Sequence, residues 1–175
     1  MLKKKQKKKM ENNNKEKILA SACLLGECVR HDAQVLRITD QRIFQWGRER
    51  RFLPICPECM AGLLVPREPC EIEAGKTAED VLNGTARILT KSGKDCTDDI
   101  LFGAQAALGM AKRNNARVAL LKQNSPSCGT KNIYDGSFSG QLTAGMGVLA
   151  ALLKKEGILV FDETEIDALE NALND

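Results

Sequence analysis

The sequence has no long apolar run, and no apolar stretch lies near its start. No segment approaches the roughly 18 apolar residues that a transmembrane helix requires, which argues against a membrane-spanning protein. The lysine-rich start continues into Glu11-Asn12-Asn13-Asn14, whereas a secretory signal would continue into an apolar stretch. We therefore expect a cytoplasmic protein that has reduced thiols and no membrane partner.

Histidine is almost absent from the sequence, with His31 as the single example. Chemistry that depends on a catalytic histidine is therefore not favoured. Cysteine, by contrast, occurs seven times. In a reducing compartment, many cysteines point to metal binding or catalysis more than to disulfides. The apolar fraction of 43% and the charged fraction of 28% are typical of a folded globular protein.

Positive charge is concentrated at the start of the chain. Eight of the 26 basic residues but only two of the 23 acidic residues lie in residues 1–17, so the formal charge of +3 becomes −3 for the remainder. Residues 1–16 are predicted to form a disordered Lys-rich arm, because like charges repel one another and bury nothing. Residues 17–175 are predicted to form a single domain. The lysines of residues 3–9 predict weak, nonspecific contact with nucleic acid.

Short apolar runs alternate with helical stretches after Lys17. Runs typical of buried strands lie at 18–22, 52–56, 85–90, 118–121 and 158–161. Helices are predicted at about 40–50, 97–114, 145–156 and 162–173. Strands separated by helical stretches favour an α/β fold, with a mostly parallel sheet and helices on both faces, similar to a Rossmann fold. Gly103 and Gly109 within the second predicted helix indicate close packing against a neighbour.

Three cysteines each follow a predicted strand. Cys23 comes after the first strand, Cys56 ends the second, and Cys128 lies in the loop after 118–121. Ligands of open α/β sheets bind at the carboxyl ends of parallel strands, so we expect these thiols to converge there. Three thiolates around one point form a soft-metal site, suited to zinc or to an iron–sulfur cluster. The cysteines expected to be only small buried side chains are Cys28, Cys70 and Cys96.

The segment Cys56-Pro57-Glu58-Cys59 matches the C-x-x-C pattern. This pattern occurs in thioredoxin-like redox sites and in halves of four-cysteine zinc sites. A Gly and a Pro follow within two turns, and no second C-x-x-C is present, so the pattern alone predicts neither. Cys59 stays open as the alternative to Cys56 in the soft-metal site. Glu58 is a candidate for proton transfer, because its carboxylate lies two residues from Cys56.

A second glycine pattern, Gly145-Met146-Gly147-Val148-Leu149-Ala150, matches the G-x-G-x-x-A fingerprint of dinucleotide-binding proteins. In that fingerprint the glycines follow a buried strand. Here residues 137–141 precede them and are rich in serine and glycine. We therefore interpret these glycines as sites of close helix packing or of a tight turn.

Four segments stand in a specific order along the chain: Ser21-Ala22-Cys23-Leu24-Leu25-Gly26 with Val29-Arg30-His31-Asp32, Cys56-Pro57-Glu58 with Pro66-Arg67, Ser125-Pro126-Ser127-Cys128-Gly129, and Ile133-Tyr134-Asp135-Gly136-Ser137-Phe138-Ser139-Gly140. In this combination they resemble the family that includes the bacterial 2-thiouracil desulfurases. The resemblance spans about residues 17–163. It implies a desulfidase that holds a [4Fe–4S] cluster through three cysteines and leaves the fourth iron open.

The resemblance also implies a role for each matching residue. Cys23, Cys56 and Cys128 would be the cluster ligands, Glu58 the acid/base residue, and Ser125 a hydroxyl near the open iron. The implied reaction removes sulfur from a thiolated pyrimidine or a similar thioamide, and gives the oxo compound and sulfide. The sequence departs from the family at three positions, since the family more usually has Tyr at the position of His31 and small or apolar residues at the positions of Cys59 and Cys70.

Two other functions stay open at the level of the sequence. One is a non-catalytic cysteine protein that binds zinc or a cluster and contacts RNA through its basic arm. The other is thiol–disulfide exchange at Cys56 and Cys59, which would not depend on iron. Iron and sulfide analysis of anaerobically purified protein distinguishes a zinc protein from a cluster protein, and activity that survives iron chelation would indicate disulfide exchange.

Overall fold

The computed structural model describes residues 15–36 and 38–174, so most of the predicted arm lies outside the described residues. In chain order, the elements are β1 (Ile18–Ser21), α1 (Gln41–Arg48), β2 (Phe52–Ile55), α2 (Pro57–Met60), β3 (Cys70–Ile72), α3 (Ala78–Leu82), β4 (Ile88–Thr90), α4 (Thr97–Arg113), β5 (Val118–Leu121), β6 (Asn132–Tyr134), β7 (Leu142–Ala144), α5 (Val148–Lys155), β8 (Leu159–Asp162) and α6 (Ile166–Asn174). Within these ranges, none of the helices has the length and apolar character needed to cross a membrane.

The centre of the fold is a four-stranded parallel sheet in the order β2-β1-β5-β8. In the register of the sheet, Leu19 of β1 pairs with Leu53 of β2 and with Ala119 of β5. All four residues of β1 and all four of β5 are buried. Strands covered on both faces need apolar side chains on both faces, which is why these two segments read as continuous apolar runs.

Alternate side chains of the strands enter two separate cores. Ile18 and Ala20 of β1 belong to the core that includes buried residues of α1 and α6. Leu19 belongs to the core on the opposite face, which includes buried residues of α4 and α5. Because successive side chains of a strand point to opposite faces, helices must cover both sides of the sheet. The predicted α/β fold with helices on both faces is confirmed.

A second, smaller unit of the fold differs from the prediction. The predicted strand over 85–90 is the shorter β4, and it pairs antiparallel with β3, which the sequence pattern did not indicate. Cys70 of β3 pairs with Thr90 of β4. The main sheet does not include this pair, and a further antiparallel pair joins β6 to β7. Strands of three residues are too short for periodicity to distinguish them from loops.

One predicted helix start is kept and another moves. The helix predicted from residue 97 begins at Thr97 as α4, and the Thr97 hydroxyl accepts a hydrogen bond from the backbone N–H of Ile88 at 2.9 Å. The helix expected from Gly145 begins at Val148. A Cβ built on Gly147 would stand 2.4 Å from the carbonyl carbon of Ser127, so glycine is required for this close approach, as predicted.

Candidate active site

A cavity of about 380 Å³ opens at the carboxyl ends of β2, β1 and β5. This is the edge at which ligands of open parallel sheets bind. The structure brings all five site residues named from the sequence to the wall of this one cavity: Cys23, Cys56, Glu58, Ser125 and Cys128. Their positions therefore match the expected convergence of segments that lie far apart in the chain.

Each of the three thiols lies between the end of a strand of the main sheet and the next element of the chain. Cys23 lies in a 3₁₀ turn after β1 that ends at Gly26, whose φ of +89° favours glycine. Cys56 is the residue before α2 and has an extended backbone, and Pro57 is the first residue of that helix. Cys128 lies in the loop after β5 and is buried.

Ser125 organises the loop that carries Cys128. Its Oγ accepts hydrogen bonds from the backbone N–H of Ser127 at 3.1 Å and of Cys128 at 3.2 Å. A serine side chain that bonds forward to the backbone closes a tight turn. The lone pairs of this hydroxyl are therefore engaged with the backbone. Among residues 15–36 and 38–174 no side chain or backbone group accepts its proton, which can be donated into the cavity that Ser125 lines.

Burial keeps the three thiols protonated. It raises the pKa of Cys23 to about 11 and that of Cys56 to about 12, and it raises the pKa of Cys128 well above its ordinary value. The cations of Lys122 and Arg30 act in the opposite direction at Cys23, but burial has the larger effect. Metal ligation requires thiolates, so binding of a metal group here releases protons.

The Glu58 carboxylate is held at both of its oxygen atoms. Oε2 accepts a short hydrogen bond from Nε of Arg67, and the two side chains are each 12% exposed. Oε1 accepts a hydrogen bond from Oγ of Ser127 at 3.3 Å. Glu58 is thus a fixed carboxylate and not a surface residue. The sequence did not indicate Ser127 and Arg67 as partners of Glu58, although both lie within the segments that carry the family resemblance.

Cys59 lies close to Cys56 but outside the cavity wall. The Sγ of Cys59 is 3.7 Å from the carbonyl oxygen of Val29, and that of Cys56 is 3.8 Å from the same oxygen. Of the two thiols, only Cys56 is among the described residues that line the cavity. The cavity geometry therefore favours Cys56 as the partner of Cys23 and Cys128.

The remaining cysteines differ from one another in environment. Cys96 is buried, as expected. The prediction that Cys28 is buried is wrong, because Cys28 is exposed and its Sγ lies 3.1 Å from the carbonyl oxygen of Ala33. Cys70 is buried as expected, but it also lines the cavity. Contact with the Cys96 thiol and burial raise the pKa of Cys70, so this thiol stays neutral.

The end of β6 and the turn after it supply an aromatic part of the cavity wall. Tyr134 and Phe138 both line the cavity. Glu71, which is buried on β3, accepts hydrogen bonds from the backbone N–H of Gly136 at 2.8 Å and of Phe138 at 3.1 Å. These bonds hold Phe138 in a left-handed conformation with φ of +55°. Aromatic rings at a cavity wall provide faces against which a flat heterocycle can stack.

The donor set fits an iron–sulfur cluster. Within residues 15–36 and 38–174, no three His, Cys, Asp or Glu side chains are gathered closely enough to hold one metal ion. A single zinc ion binds every one of its cysteine ligands directly, with each sulfur about 2.3 Å from the metal. A cluster instead binds each cysteine at a different iron atom. Cys23, Cys56 and Cys128 line one cavity, so each of them can supply a thiolate to a different iron atom.

Comparison with known proteins agrees with this geometry. The family model described as 2-thiouracil desulfurase matches residues 18–165. The uncharacterized protein YbbK of Bacillus subtilis (strain 168) is 45% identical over 150 residues, which make up 86% of this chain and 97% of that protein. The solved structure of the [4Fe-4S]-dependent thiouracil desulfidase TudS (DUF523Vcz) is 42% identical, with a TM-score of 0.83, over 91% of this chain and 99% of its own. The chain therefore belongs to the 2-thiouracil desulfurase family and is an enzyme of that family.

Proposed function

We propose that the protein is a [4Fe–4S]-dependent desulfidase that removes sulfur from a thiolated pyrimidine or a related thioamide and gives the oxo compound and sulfide. The observation that carries the proposal is the convergence of three cysteines and a held carboxylate on one cavity. Membership of the 2-thiouracil desulfurase family and the likeness to a solved thiouracil desulfidase support it.

Cys23, Cys56 and Cys128 would hold the cluster. Cys56 is preferred to Cys59 because it is the one of the two that lines the cavity. When bound, such a cluster supplies a soft Lewis acid at an iron that no cysteine occupies. The cations of Arg30, Lys91 and Lys122 also line the cavity, and they would lower the cost of placing thiolate charge there.

The protein's own residues would position the thiobase and water and move the proton. Water attacks the ring carbon that bears sulfur, and Glu58 takes one proton from the water at Oε1, the oxygen that Arg67 does not occupy. The carbon–sulfur bond then breaks, and the sulfur leaves as hydrosulfide with the proton that Glu58 returns. The water oxygen stays on the ring carbon as the oxo group, and its second proton is released. The hydroxyl of Ser125 donates a hydrogen bond to the thiobase or to the water, because its lone pairs are engaged with backbone N–H groups. The aromatic wall at Phe138 stacks on the ring and excludes bulk water.

The experiment that tests this function is sulfide release from 2-thiouracil or 4-thiouridine by the anaerobically reconstituted protein. In Glu58→Gln the side chain keeps its shape but does not titrate, so iron content should equal that of the wild type while turnover falls by about 10²-fold. The matched control is Glu49→Gln, since Glu49 is 17% exposed and pairs with Lys15 away from the cavity. Its turnover should equal that of the wild type.

Two outcomes would contradict the proposal. A cluster-loaded Glu58→Gln variant with wild-type turnover would remove Glu58 from the mechanism. A fully loaded wild type that releases no sulfide from any thiolated base would overturn the substrate class. Iron and acid-labile sulfide are measured on every sample, so a loss of cofactor is not mistaken for a loss of catalysis.

Thiol–disulfide exchange at Cys56 and Cys59 is the competing function that one observation favours. Both sulfur atoms approach the carbonyl oxygen of Val29, so the two thiols lie near each other. A reactive cysteine, however, needs a lowered pKa, and burial raises the pKa of Cys56 to about 12. Disulfide-exchange activity that survives iron chelation would favour this function over the desulfidase.

We also propose the domain organisation expected from the sequence, with residues 1–16 as an arm and 17–175 as one domain. Lys15 and Glu16 already contact the domain, through ion pairs with Glu49 and Arg117. The cytoplasmic location and the weak contact of residues 3–9 with nucleic acid stay predictions. They are checked by fractionation of cells and by the salt dependence of RNA binding.

A further inference from the structure

Arg67 lies partly buried between the two segments that carry Cys23 and Cys56. Its side chain is 12% exposed, and its backbone N–H donates to the carbonyl oxygen of His31 at 2.9 Å. The guanidinium therefore extends from a segment that is itself attached to the loop after β1. A buried arginine is costly unless its charge and its donors are satisfied.

The guanidinium has as many acceptors as it has N–H groups. Nε donates to Glu58 Oε2, and Nη2 donates to the carbonyl oxygen of Val29 at 2.9 Å and to Cys56 Sγ at 3.9 Å. Nη1 donates to the carbonyl oxygen of Leu64 at 3.1 Å and to Cys59 Sγ at 3.8 Å. An arginine carries five such donors in one planar fork, so this fork is fully used.

These contacts connect parts of the site that the chain itself does not connect. Val29 follows Cys23 in the loop after β1, whereas Cys56, Glu58 and Cys59 belong to the start of α2. The guanidinium of Arg67 donates hydrogen bonds to both sides. It also occupies Oε2 of Glu58, so Oε1 is the oxygen left for other partners.

We propose that Arg67 is a positioning residue for this site: its guanidinium fixes the orientation of the Glu58 carboxylate and holds the Cys56 segment against Val29. The inference rests on the proposed function, because it assigns to Arg67 an effect that acts through Glu58 and Cys56. Lysine cannot take this role fully, since an ammonium has three donors and no fork.

The test is a double-mutant cycle on the iron-loaded protein. In Arg67→Met, kcat per bound iron should fall by about 10²-fold, as expected when a catalytic group is misplaced, with KM changed by less than about 3-fold. In the Glu58→Gln background, the same substitution should lower kcat by less than about 3-fold, because there is no longer a base to position. If the double variant instead shows a loss of kcat equal to the product of the two single-variant losses, the inference is overturned.

The retention of iron gives a second readout that does not depend on turnover. Partners of metal ligands contribute about 10- to 100-fold to metal affinity, so Arg67→Met should lose iron to a chelator at least about 10-fold faster than the wild type. Arg51→Met is the matched control, because Arg51 is 11% exposed, pairs with Glu49 and does not line the cavity. It should lose stability while its iron retention and turnover equal those of the wild type.

The outcomes separate this inference from the proposed function. A wild type without sulfide release contradicts the proposed function, and iron retention then decides the role of Arg67. A wild type with turnover that Arg67→Met matches, in activity and in iron retention, overturns the inference alone. If Arg67→Met does not fold, Arg67→Lys replaces it. Lysine should give an intermediate loss of kcat that again disappears in the Glu58→Gln background.

Discussion

Gly103 of α4 lies directly against the backbone of Pro57, the residue between Cys56 and Glu58. A Cβ built on Gly103 would stand 1.9 Å from the carbonyl oxygen of Pro57. The longest helix of the described chain therefore supports the start of α2 by close backbone contact. The prediction of close packing holds for Gly103 and is wrong for Gly109, where a Cβ would meet only the flexible end of Arg113, at 3.1 Å.

This contact predicts opposite effects for the same substitution at the two glycines. Gly103→Ala should destabilise the protein by about 1–3 kcal/mol, because the added methyl group overpacks the site and must displace Pro57. It should also lower iron content, because Cys56 moves with Pro57. Gly109→Ala should leave iron content unchanged and should stabilise α4 by up to about 1 kcal/mol. Denaturant unfolding and iron analysis measure both effects, and equal behaviour of the two variants would contradict the argument.

The ligand assignment predicts two groups of cysteines. Serine at Cys23, Cys56 or Cys128 should abolish or cripple iron binding, because hard oxygen is a poor substitute for thiolate at iron. The cysteines at which serine should leave iron content near that of the wild type are Cys28, Cys59, Cys70 and Cys96. The measurement is iron and acid-labile sulfide after anaerobic reconstitution. Loss of iron from Cys59→Ser with retention in Cys56→Ser would reverse the assignment of these two.

Asp162 at the end of β8 predicts a loss of stability in acid. Its side chain is fully buried and accepts hydrogen bonds from Thr130 and Thr164. Burial alone would raise the pKa of Asp162, but these hydrogen bonds hold it well below the ordinary value of 3.8. A lowered pKa in the folded state means stability that is present above pH 3.8 and is lost as the pH falls below it.

The control for this acid effect is Asp162→Asn, which does not titrate. The wild type should be more stable than this variant by about 2 kcal/mol at neutral pH. The difference in the free energy of unfolding should stay constant above about pH 5 and shrink as the pH falls further. A difference that does not depend on pH would show that Asp162 does not contribute through its charge.

Removal of residues 1–14 should leave folding and sulfide release from a free thiobase unchanged. The first described contacts with the domain are made by Lys15 and Glu16. Lys15 forms an ion pair with Glu49. The Glu16 carboxylate accepts a hydrogen bond from Arg117, and its backbone oxygen accepts one from Arg51. Removal of residues 1–16 is the control, and it should cost up to about 1 kcal/mol through the loss of these contacts. RNA binding of the shortened protein should be weaker and less dependent on salt. A requirement for residues 1–14 in turnover would contradict the single-domain organisation.

The sequence allowed the cavity to be located because strand ends are local features. Cys23, Cys56 and Cys128 each follow an apolar run, and parallel strands place their carboxyl ends at the same edge of a sheet. The same reasoning did not predict β3 and β4, whose three residues carry no clear periodicity. It placed Cys56 in the soft-metal site but kept Cys59 as the alternative, since both lie in one short motif.

The alternation of strands and helices and the residues at the strand ends can therefore be predicted from the sequence alone, because apolar patterning and turn residues act over a few positions. Which of these residues meet depends on the tertiary structure. Ser127 and Arg67 reach Glu58 from 69 and 9 residues away in the chain. Such contacts depend on how the loops pack on the sheet, and no local pattern of residues encodes that packing.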